Sequence, residues 1–177
     1  HDQTRRQRQM CIRDRNNIPD EIKILSPYDE YPSLVDRELV LQNSRVIIEY
    51  LDERFPHPPL LPVDPISRAK FRLALNEIEH SWYTKYAEAY NDEVLDDKFV
   101  TEIKTYFLEI APLIKRKFFM SDDFGLVDCS IAPLLWRLKS LDFDLAENNK
   151  VIADYSERIF EREAFQDSLT ETEKELF

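Results

Sequence analysis

A stop signal that no helix can pass, Phe55-Pro56-His57-Pro58-Pro59, directly follows the apolar-periodic run from Val46 to Arg54 and divides the chain into two parts. Proline lacks an amide hydrogen, clashes with the preceding turn and pushes the residue before it toward extended geometry, so the helix must end near Arg54. A stiff extended loop follows. Its three prolines leave little conformational freedom to lose, so Phe55 and His57 stand on a partly preorganised surface, as a docking site needs. A plain linker between two domains is the competing reading.

On the near side of this stop, Ile18 to Leu25 reads as a short helix ended by Ser26-Pro27. Ser33–Asp36 and Glu38–Leu41 are short β-favouring runs that a bend around Asp36-Arg37 joins into a hairpin. Asn43 is placed as an N-cap, with Ile47, Tyr50, Leu51 and Arg54 at helical spacing beyond it. On the far side, after Pro62-Val63-Asp64-Pro65, the pattern is helical throughout. Leu75, Ile78, Trp82, Tyr86 and Tyr90 recur at three and four residues, as do Phe99, Ile103, Phe107, Ile110 and Ile114, which predicts two long helices paired antiparallel across a turn at 91–96. Pro112 should kink the second. Leu126 to Lys139 is apolar on most sides and is therefore expected at the centre, bent at Pro133; Gly125 followed by Asp128 resembles a capping box in which glycine replaces the usual Ser or Thr. Val151, Ile152, Tyr155 and Ile159 mark a further helix, and Thr170 with Glu173 caps a last one.

Several runs carry a family likeness: Tyr31 to Leu39, Ser44 to Leu60, Ala132 to Leu138, and Glu157 to Arg162 with Ala164-Phe165-Gln166 and Ser168-Leu169. Together they resemble the stringent starvation protein A branch of the glutathione transferase superfamily, whose members associate with RNA polymerase. The resemblance implies an α+β, glutathione-transferase-like fold: residues 16–62 as the later part of a thioredoxin-like domain whose first βαβ unit is missing, and 63–177 as an all-α domain. It also implies a stress- or starvation-response regulator, a cytoplasmic adaptor that docks onto RNA polymerase holoenzyme through Phe55, Pro56, His57, Pro58 and Pro59. The superfamily's two-fold dimer is expected through the helix from about Ile66 to Tyr90, where Arg68, Lys70 and Arg72 can complement Glu77 and Glu79.

Residues 1–15 do not share this likeness. Met10-Cys11-Ile12-Arg13-Asp14-Arg15 back-translates to ATG TGT ATA AGA GAC AGN, which resembles the transposon end joined to fragments in sequencing-library preparation. The segment is accordingly read as a translated adapter outside the fold, against the alternatives of a basic arm or a transit peptide. The formal charge is −11, and without residues 1–15 it becomes 19 basic against 33 acidic residues, or −14. Such a surface repels phosphate backbones and anionic lipid, so neither direct nucleic-acid nor membrane contact is expected. No run approaches the ~20 apolar residues that span a bilayer. Outside that segment Cys129 stands alone, which suits a reducing cytosol.

The inventory for chemistry is thin. His1, His57 and His80 offer no metal-ligand spacing, so no metal is expected. Cys129 reads as a small hydrophobe in an apolar helix, and the pairs Asp52-Glu53, Asp96-Asp97 and Asp122-Asp123 as solvated faces. The enzymatic alternative is a glutathione transferase. By resemblance, Pro32 matches the superfamily's cis-proline position, Tyr31 the residue whose backbone pairs with glutathione, and Ser44 the serine that receives the γ-glutamyl carboxylate at a helix N-terminus. Asn43 stands where Glu or Gln is usual. Because the fold also asks for a proline and a helix-opening serine there, these positions are read as vestigial, with no catalytic residue and no glutathione cofactor expected.

Overall fold

A computed structural model describes residues 32–86, 97–114, 116–140 and 143–174. The chain divides between Pro59 and Leu60 into two compact units. The expected helix at 18–25 and the turn at 91–96 lie outside the described residues.

The first unit is a ββα arrangement. Strand β1 (Ser33–Asp36) pairs antiparallel with β2 (Leu39–Gln42) in the register Ser33 to Gln42 and Asp36 to Leu39. The turn is therefore Arg37-Glu38, one residue later than the sequence suggested, with Arg37 in the left-handed region at φ 58°. Two-residue hairpin loops favour such positive angles because their twist matches that of the strands. Helix α1 (Ser44–Arg54) opens as expected: the Asn43 side chain accepts from the amides of Arg45 and Val46 at 3.0 and 3.3 Å. It satisfies two of the donors that every helix start leaves orphaned. Ile47 is buried, but so is Asp52, at 8% exposure, which corrects the expectation that the Asp52-Glu53 pair is solvated; Glu53 alone is exposed.

The second unit is helical. Asp64 caps α2 (Pro65–Glu77) by accepting from the Ser67 amide at 2.8 Å, and proline at the first position needs no donor. The predicted single long helix instead widens into a π-helical segment over Ile78–Tyr83. Consecutive side chains there serve two neighbours. Trp82 packs on Tyr106 and Phe107 of α3 (Asp97–Ile110), while the Tyr83 hydroxyl donates to the Ser130 carbonyl of α4 (Leu126–Ser140) at 2.8 Å. A regular α-turn holds every side chain to its 100° step, and the inserted π-turn relaxes that constraint.

The antiparallel pairing is borne out by its order: Tyr86 meets Phe99, Lys85 pairs with Glu102 at 3.1 Å, and Trp82 meets Tyr106. At Pro112 the α-helix gives way to a 3-10 turn, Ala111–Ile114. Helix α4 is the centre of the unit, with Leu126, Val127, Ile131, Leu134, Leu135 and Leu138 all fully buried and Pro133 on its exposed side. Four shorter helices follow: α5 (Leu145–Asn148), α6 (Lys150–Phe160), α7 (Glu163–Ser168) and α8 (Glu171–Lys174). Ile152, Tyr155 and Ile159 of α6 are buried as their spacing requires. The last cap forms reciprocally, the Thr170 amide donating to Glu173 at 2.9 Å and the Glu173 amide to Thr170 Oγ1 at 3.2 Å. Among the described residues no helix is long and apolar enough to cross a membrane.

Candidate functional site

The proline loop leaves α1 at a defined point. The Phe55 amide still donates to the Leu51 carbonyl at 3.0 Å, and at Phe55 the backbone leaves the helical conformation, with φ −129° and ψ 65°. The last turn is tied to the hairpin through one carboxylate. Asp36 accepts from the Tyr50 hydroxyl at 2.6 Å and lies 3.9 Å from the Arg54 guanidinium. That hydrogen bond holds the Tyr50 phenol above its ordinary pKa. The Arg54 guanidinium also lies over the Phe55 ring, 5.5 Å from its centre. Hairpin, helix end and first loop residue are thus linked by polar and cation–ring contacts.

All five predicted docking residues are exposed, and Phe55 is 66% exposed, a large apolar ring left in water. The His57–Pro58 peptide is cis. The loop offers an aromatic face, three proline rings and one imidazole. An imidazole here can donate or accept a hydrogen bond, but among the described residues nothing beside it supplies a nucleophile or an activating base.

The positions read as a vestigial glutathione site stand elsewhere. Tyr31 lies outside the described residues. Pro32 precedes β1, whose start pairs with the end of β2, so Pro32, Asn43 and Ser44 share one end of this unit and all are exposed. The loop is at the other end of α1, about 16 Å away at 1.5 Å per residue. At the Ser44 end the Asn43 side chain already accepts from two amides of the helix start. A ligand carboxylate would compete with it for those donors, which fits a structural role for Asn43.

Sequence reasoning saw only part of a second polar centre, in the helical unit. Asp128 is fully buried and accepts three hydrogen bonds: from the Gly125 amide at 2.7 Å, the Phe119 amide at 3.0 Å and the Tyr155 hydroxyl at 2.6 Å. Burial pushes its carboxyl above the usual range, and these donors partly offset the shift. Burial and the neighbouring Asp128 raise Tyr155 well above a normal phenol. The Gly125 to Asp128 spacing announced the first bond. Nothing in the sequence announced Tyr155, 27 residues away. Gly125 itself is needed for space. A Cβ there would meet the Leu60 carbonyl oxygen at 3.0 Å, and that same oxygen accepts from the Leu126 amide at 2.9 Å. Cys129 is half-buried on the same helix. His80 is exposed, as are Asp97, Asp122 and Asp123; Asp96 lies outside the described residues.

Comparison with known proteins places these elements in a family. Residues 9–59 match the glutathione S-transferase N-terminal domain and residues 63–163 the glutathione S-transferase C-terminal domain. A stringent starvation protein A homolog of Haemophilus influenzae is 48% identical over 157 residues, covering 87% of this chain and 74% of its own. The homolog of Coxiella burnetii is 45% identical, covering 92% and 79%. Among solved structures, a glutathione S-transferase from Rhodospirillum rubrum superimposes with a TM-score of 0.78 at 21% identity, covering 89% of this chain and 78% of that one, which speaks for the fold alone.

Proposed function

The chain belongs to the stringent starvation protein A family of the glutathione S-transferase superfamily, and from that premise we propose that it is a non-catalytic regulator of the stress or starvation response that docks onto RNA polymerase through the Phe55 to Pro59 loop. The observation that carries this reading is the loop itself. Phe55 is an exposed aromatic anchor, prolines fix the chain beside it, and His57 adds a polar contact. A few anchoring side chains, often aromatic, dominate the free energy of an interface, and preorganised backbone lowers the cost of ordering them. Enzymatic glutathione transfer is the second reading, favoured by the exposed Ser44 at the start of α1 and opposed by Asn43 in the donors' path.

The two readings part on one variant. Replacing Pro56, His57 and Pro58 by alanine should abolish capture of RNA polymerase while circular dichroism stays that of the parent. Glutathione-resin binding and conjugation of a generic electrophile should be absent before and after the change. Undiminished polymerase capture would return the loop to a linker. Conjugation activity in the parent would favour the enzyme.

We place self-association on α2, whose Ile66 and Leu73 are exposed one above the other, seven residues apart, among Arg68, Lys70, Arg72 and Glu77. A monomer at high micromolar concentration by sedimentation would exclude it.

A further inference from the structure

Cations with no carboxylate partner among the described residues are unexpected in a chain with 11 excess acidic residues, yet three of them share one surface of the helical unit. The Arg158 Nε donates to the Lys117 carbonyl at 3.0 Å, so the loop after the 3-10 turn and helix α6 meet there. The Lys117 ammonium lies 5.6 Å from the Phe118 ring centre. One turn beyond Arg158, the Arg162 guanidinium lies over Phe124 at 3.9 Å and 5.8 Å from Phe118. Among the described residues none of these three side chains makes an ion pair, whereas Arg116 at the rim is 3.4 Å from Asp122.

The backbone under this surface is fixed. Phe118 and Ser121 exchange two hydrogen bonds, the Met120 amide donates to the Leu113 carbonyl, and the Phe119 amide is held by the buried Asp128. The cations are therefore presented from a rigid loop and a helix, with little left to order on binding. A guanidinium stacked on a ring keeps its in-plane N–H groups free for a carboxylate.

We propose that this surface docks a short acidic segment of a partner protein, its carboxylates pairing with Lys117, Arg158 and Arg162 beside the half-buried Phe124 ring. Charge complementarity selects the occupant. A continuous phosphate backbone would also meet acids, since Asp122, Asp123, Glu157 and Glu161, exposed and close in sequence to the three cations, repel it, whereas a short acidic segment need meet only the cations. This surface is independent of the proline loop.

Fluorescence anisotropy tests it on the full chain, with a fluorescein-labelled octapeptide of alternating glutamate and leucine and its glutamine-leucine counterpart. The glutamate peptide should bind and the glutamine peptide should not, and binding should fade above about 0.3 M salt, where screening reaches within ~6 Å. Lys117→Glu should weaken binding about tenfold, since it replaces one attraction by a repulsion. Arg162→Lys, which keeps the charge and loses the fork, should fall between, and Lys98→Glu on α3 should match the parent. Equal affinity of K117E and parent, or no affinity in the parent, would overturn the proposal. So would displacement by duplex DNA at equal charge concentration, which marks a general anion surface. A self-association broken by K117E in sedimentation would overturn it as well, by making the occupant a second copy.

Discussion

Asp128→Ala should be among the most damaging single substitutions in the helical unit, though it removes only a carboxyl group. The side chain is fully buried and accepts from two backbone amides and one phenol, belonging to the loop before α4, the cap of α4 and helix α6. Truncation leaves all three donors buried without an acceptor. Each such group costs about 1–3 kcal/mol, so a total of roughly 3–6 kcal/mol is expected after allowing for relaxation. Domains of this kind have only about 5–15 kcal/mol in hand. Tyr155→Phe removes one donor and leaves Asp128 its two amides, so about 1–2 kcal/mol is expected there. Urea unfolding followed by far-ultraviolet circular dichroism measures both, and in Asp128→Ala near-ultraviolet signals from Phe118, Phe119 and Phe124 should weaken first. A loss below about 1 kcal/mol for Asp128→Ala, or a loss for Tyr155→Phe that equals it, would refute the argument that one acceptor organises three segments.

Further outcomes follow from the same geometry. Gly125→Ala places a Cβ against the Leu60 carbonyl and should cost about 1–3 kcal/mol by overpacking, lowering the urea midpoint without changing its slope. Asn43 holds φ 73° and caps α1, so Asn43→Ala should lose about 1–2 kcal/mol whereas Asn43→Gly, at ease in that conformation, loses a few tenths; equal losses in thermal melting would deny the cap and backbone roles. Burial raises the folded Asp128 pKa, so the folded state keeps a proton that the unfolded state releases. The contribution of this group is full below the ordinary carboxylate range and is lost as pH rises through the folded value, and Asp128→Asn should erase that portion of the pH dependence of stability.

The parts of this protein that its sequence determined are those whose cause lies within a few residues. Asn43 and the Thr170–Glu173 pair cap helices because a side-chain oxygen reaches amides two or three positions away. The spacing of Phe99, Ile103, Phe107 and Ile110 produces a buried stripe because an α-helix returns to the same face at that period. The helix stop at Phe55 is equally local, since proline acts on its own backbone. The hairpin was legible as well, though its turn moved by one residue, because strand ends are set by register and not by propensity.

What only the tertiary structure decided is which polar and charged groups leave water. Asp52 and Asp128 both sit in sequences that read as helix, and both are buried; around Asp128 the groups that meet it come from Phe119 and from Tyr155, 27 residues away. The π-turn at Ile78–Tyr83 depends on α3 and α4 claiming adjacent side chains, and the stacking of Arg162 on Phe124 depends on a loop and a helix that no local pattern connects. Local hydrogen bonds and periodicity are written in short windows, whereas desolvation is a property of whatever packs on top, and that is set by the whole chain at once.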